Sequence, residues 1–125
     1  MDIDLARFSA DQQRALFDLL ILAMYADGHL TIFEDEQLQK LLAGMGFTEA
    51  AARQREFDAA VTRIRPSIQS LDKAKELALG LADTFTDRRQ QKQVFGAVLQ
   101  IMGSDFNVST WESTLLMELR MKFRL

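Results

Sequence analysis

The sequence has no cysteine, one histidine, one proline and six glycines in 125 residues. Without thiols it can form no disulfide, no zinc-thiolate centre and no cysteine nucleophile. His29 alone cannot furnish a catalytic triad, a two-histidine metal site or a pair of haem ligands. Neither Gly-x-Gly-x-x-Gly nor a phosphate-binding Gly-Lys-Ser/Thr occurs. Scarce proline and glycine leave little material for linkers, so residues 1–125 read as one domain. There is also no excess of positive charge: 15 basic residues against 18 acidic give −3, which argues against nucleic acid as a partner. The longest apolar stretch, Leu16 to Ala26, is interrupted by Asp18 and too short to span a bilayer. The opening MDIDLARFS lacks the basic start and apolar run of a signal peptide. A soluble cytoplasmic protein is the expectation.

Apolar residues recur at helical spacing, and period-two alternation is missing. Ser9 to Gln12 has the form of a capping box opening a first helix, whose buried stripe would be Leu16, Phe17, Leu20, Ile21 and Met24. Asp27-Gly28 closes it, and Thr31 to Glu34 repeats the capping form for a second helix through Leu38, Leu41 and Leu42 to Gly44 and Gly46. A third helix is expected from Thr48 to about Arg65, with Phe57, Val61 and Ile64 inward and Pro66 at its end. A fourth follows through Leu71, Leu77 and Leu81 to about Phe85, and a fifth, after TFTDRR, carries Val94, Phe95, Val98, Leu99 and Met102. A sixth begins after Ser109 with Trp111, Leu115, Leu116 and Leu119. The expected fold is a single compact all-α bundle of about six helices.

The corner between helices occurs twice. Asp27 to Glu34 aligns with Asp105 to Glu112 at an offset of 78 residues, and the same offset pairs Phe17 with Phe95, Leu20 with Val98, Met24 with Met102 and Leu38 with Leu116. Two helix-corner-helix pseudo-repeats would thus bracket a central helical pair. The first corner matches the later part of an EF-hand loop, but the acidic first and third positions would be Ala23 and Tyr25, inside a continuous helical pattern. An autonomous EF-hand is excluded. Four carboxylates remain as candidate metal ligands: Asp27, Glu34, Asp105 and Glu112. If the copies pack as a pair, these hard oxygens suit calcium, magnesium or manganese. Capping is the simpler account, because Glu34 and Glu112 complete capping boxes and Asp27 and Asp105 can satisfy turn amides.

The pattern Asp-Gly-x-x-Ser/Thr-x-x-Glu after an apolar helix, present twice, resembles the TerB-like domains named for bacterial tellurite resistance proteins. The resemblance covers residues 12 to 123, and ADGHLTIFEDEQLQKLL is its most characteristic piece. It implies an all-helical fold of two repeats, divalent-cation binding by acidic residues, and work in stress-linked, membrane-associated assemblies or as a module of larger proteins. Asp27, Glu34, Asp105 and Glu112 match the pattern; Phe106 replaces the glycine of the first copy. With no thiols, any part in oxyanion resistance would be indirect. The reading is a non-enzymatic module working through unidentified protein partners, with no catalytic residues. Its alternatives are a metal-dependent hydrolase using the same carboxylates and a metal-free scaffold or oligomerisation domain.

Two basic clusters complete the inventory: Arg88, Arg89 and Lys92, then Arg120, Lys122 and Arg124. The first opens a helix, where its charges oppose the dipole and call for compensating acids or a partner. Phe123 and Leu125 beside the second leave peripheral contact with an anionic membrane open. A solvated face is the simpler reading of both.

Overall fold

In a computed structural model, which describes residues 3–27, 32–102 and 110–125, the chain is an all-α bundle of six helices, with no strand among the described residues. The helices are α1 (Ala10–Asp27), α2 (Ile32–Gly44), α3 (Ala50–Ile64), α4 (Leu71–Ala82), α5 (Arg88–Met102) and α6 (Thr110–Phe123). Short 3-10 turns at Leu5–Arg7 and Arg65–Gln69 were not anticipated. The side chains of Asp27, Ile32, Phe33 and Glu34 lie outside the described set.

Local chemistry sets the helix ends. The Ser9 hydroxyl accepts from the Gln12 amide at 3.2 Å, and the Gln12 side chain accepts from the Ser9 amide at 2.9 Å, completing the capping box. Ser70 caps α4 through the Lys73 amide, and Asp87 caps α5 through the amides of Arg89 and Gln90. Gly46, at φ +107°, ends α2: its amide reaches Ala43 and that of Phe47 reaches Leu42, a Schellman closure. Pro66 does not simply stop α3. It sits in the first turn of the 3-10 segment, where its missing N–H costs nothing.

Helix α1 is the axis of the bundle and packs against α3, α4, α5 and α6. Every residue from Ala15 to Ala23 is buried, so the expected single stripe was too narrow: Leu19, Leu22 and Ala23 are as enclosed as Leu16 and Leu20. Of the other expected core residues, Phe17, Val98 and Met102 are buried, while Met24, Phe95, Trp111 and Leu116 are half-buried against the core. In α4 the buried stripe is Ala74, Ala78 and Ala82, and the leucines expected there flank it half-buried. In α5 Leu99 is 46% exposed.

The repeat is more extensive than the corner motif. Helices α1 and α5 start at residues 10 and 88, and α2 and α6 at 32 and 110, all at one offset. The closure at Gly46 recurs at Arg124, a non-glycine residue at φ 55°, where the Leu125 amide reaches Arg120. The surroundings differ: α6 packs on α4, α5 and α1, whereas α2 leans on α3.

Candidate functional site

Three of the four candidate carboxylates, Asp27, Glu34 and Glu112, fall within the terminal turns of described helices. Asp27 is the last residue of α1, and no basic residue stands in that last turn. Glu34 lies in the first turn of α2 and Glu112 in the first turn of α6. Glu112 is the one whose side chain is described, and it is 1% exposed. Asp105 and the side chains of Asp27 and Glu34 lie outside the described residues, as does His29, so the spacing between the two copies' carboxylates does too. Among the described residues no cluster of three or more His, Asp or Glu side chains could hold a metal.

Trp111, next to Glu112, lines an apolar groove of about 340 Å³ together with Leu22, Tyr25, Ala26 and Ile68. The start of α6 and the last turns of α1 thus border one groove. An anion at a helix C-terminus faces the negative pole of the dipole, which disfavours it by a few tenths to about 1 kcal/mol. A helix N-terminus or a cation close by would offset that. Glu112 has the opposite situation, since the first turn of α6 attracts negative charge.

At the other end of the bundle the structure ties the repeats together through residues not singled out from the sequence. Gln12 and Gln90, equivalent at the offset of 78, exchange two hydrogen bonds, each amide nitrogen donating to the other's oxygen at 3.1 Å. Gln12 also donates to the Thr84 carbonyl and Gln90 to that of Arg7. Their neighbours repeat as well: Gln13 donates to Leu5 and Phe8, and Gln91 donates to Phe85. Phe8 and Phe85 pack beside them at 5.8 Å between ring centroids. The signal was legible, because Gln-Gln follows Ser9 and Asp87 at the same distance. A reciprocal contact between equivalent residues marks an approximate twofold axis between α1 and α5.

The basic clusters are not simply solvated faces. The Arg88 guanidinium donates to the carbonyls of Phe123 and Arg124, which brings both clusters to the end of α6 and satisfies its orphan carbonyls. Lys122 pairs with Asp83, and Arg120 donates to the Leu125 carbonyl at 2.9 Å. The acid required at the start of α5 is Asp87. No helix among the described residues is long and apolar enough to cross a membrane.

Comparison with known proteins finds no match among family models, curated proteins or solved structures.

Proposed function

We propose that the chain is a non-enzymatic TerB-like helical module that acts through protein partners and holds a divalent cation weakly at its acidic corners. One observation carries the cation part. Helix α1 ends on Asp27 with no basic residue in its last turn, and Trp111, beside the buried Glu112 in the first turn of α6, borders the same groove as Tyr25 and Ala26 just before that end. Carboxylates from the two repeats gathered there would repel one another, and a hard cation with water in its shell relieves that repulsion. The shared register of both repeats, from caps to closures, supports the two-repeat architecture that the resemblance implies. The position of Glu112 in the first turn of α6 favours a second reading, a metal-free scaffold in which the carboxylate serves as a cap.

Calorimetric titration with calcium and with magnesium separates the two. Weak binding of either ion, lost in an Asp27→Asn/Asp105→Asn variant that keeps its helical content, supports the cation site. No heat above dilution from either ion, with the fold intact, leaves the scaffold.

A further inference from the structure

The approximate twofold axis makes the two central helices comparable face by face, and they are not equally covered. Arg14, Phe17, Asp18 and Ile21 of α1 lie one helical turn apart, a single stripe. Helix α3 covers this stripe: Phe57 meets Phe17 edge-on at 6.4 Å, and Arg63 grips Asp18 with two hydrogen bonds of 2.8 and 3.1 Å. Glu56 lines the same small cavity as Arg14 and Arg63. Under α3, Phe17, Asp18 and Ile21 are 1%, 6% and 0% exposed.

The equivalent stripe on α5, at the offset of 78, is Lys92, Phe95, Gly96 and Leu99. Helix α5 packs chiefly on α1 and α6; α4, which follows α3 in the chain, packs on α6 and α1 instead. Lys92 and Gly96 are exposed, Phe95 is half-buried and Leu99 is 46% exposed. One half of the molecule thus has a covering helix over this stripe, and among the described residues the equivalent ridge of the other half is more open. Its chemistry is also lopsided. Helix α5 carries Arg88, Arg89 and Lys92 and no acid, in a chain of net charge −3.

We infer that the Lys92–Phe95–Gly96–Leu99 face of α5 docks an amphipathic helix of a partner protein, seated as α3 seats on α1 and carrying an acidic residue beside a large apolar one. Helix α3 is the template. Its Glu56 lines a cavity that Arg14 also lines and its Phe57 meets Phe17; the counterparts of Arg14 and Phe17 are Lys92 and Phe95. Asp18, which needs Arg63, is replaced by Gly96, so the partner needs no cation at that level. A glycine there instead lets a helix backbone approach closely, and a Cβ built on Gly96 meets nothing within 4 Å. The accessible part of half-buried Phe95 and the exposed Leu99 supply the apolar area, and Arg89 and Lys92 select an acidic flank. This deepens the proposal that the chain works through protein partners. It is independent of the cation site, so the metal titration and the test below can fail separately.

The test is an NMR titration of the full chain with a peptide of residues 49–65 carrying Arg63→Ala. The expected result is amide shifts concentrated on α5 around Lys92 to Leu99. Changing Glu56 of the peptide to lysine should weaken binding roughly two- to fivefold, the span of one exposed ion pair, and Lys92→Glu in the protein should restore it. Gly96→Gln, at a site with open space around it, should weaken binding at least about fivefold by preventing close approach. Shifts confined to α1 and α3, or no saturable shifts with the protein folded, would overturn the proposal. So would concentration-dependent dimerisation through α5 that Gly96→Gln abolishes, since the occupant would then be a second copy.

Discussion

Asp18 sits in the most enclosed helix of the molecule, and Arg63 from α3 is what lets a carboxylate stay there. The Asp18 hydrogen bond raises the Arg63 pKa from an already high value, against the opposing effect of burial. The sign follows directly. A cation with a raised folded pKa contributes stability below its unfolded pKa and loses it only as pH rises through the folded value. For a guanidinium that window is strongly alkaline, so the contribution is constant across neutral pH. Arg63→Met is expected to destabilise by about 1–3 kcal/mol, less than a fully buried pair because the Arg63 side chain is 36% exposed. Urea denaturation at about pH 6 and about pH 9 should give the same loss of stability relative to wild type. A loss that doubles between the two would mean that another titrating group governs the site.

At the scale of the helix, the ends were legible and the faces were not. Caps are written in three or four adjacent residues, so Ser9 with Gln12, the closure at Gly46 and the start after Ser109 could be read directly. Faces depend on neighbours that no local pattern names. Leucine outweighs alanine on any hydrophobicity scale, yet α4 turns Ala74, Ala78 and Ala82 inward, because small residues permit close packing on α1 and α6. Leu99 fits the periodic stripe and still stays 46% exposed, since among the described residues α5 packs chiefly on α1 and α6 through its other faces. The candidate site divides the same way: its repeat register was readable, and Glu112 burial was not. The equivalent closures make a matched prediction. Arg124 holds at φ 55° the conformation that glycine holds at Gly46. Arg124→Gly should therefore stabilise by about 0.5–1 kcal/mol, and Gly46→Ala should destabilise by about 1 kcal/mol or slightly more. Thermal midpoints moving in opposite directions, by roughly 2–5 °C each, are the expected result; equal signs would mean that the two ends are not the same motif.

For the molecule as a whole, the question is what makes two similar halves fold as one body. Hydrophobic burial around α1 supplies most of the cohesion, but it is non-directional and would tolerate α5 sliding along its partner. The Gln12–Gln90 pair is directional and sits where only one register lets both amides bond reciprocally. Each side chain also reaches the loop before the opposite helix, at Thr84 and Arg7, so a slip of α5 by one turn would break four hydrogen bonds. Gln90 is 8% exposed, and water compensates poorly for what it would lose. Gln12→Met and Gln90→Met are each expected to destabilise by about 1–3 kcal/mol, the cost of leaving a buried amide without its mate. The double variant removes both mates together, so it should be more stable than the sum of the singles implies, by about 1 kcal/mol. Denaturant unfolding of the four proteins gives that coupling directly. If the losses add within about 0.3 kcal/mol, the pair is an incidental contact and register is fixed by packing alone. If coupling is present, two probes, one in α2 and one in α6, should still melt together in the wild type and separate first in the double variant.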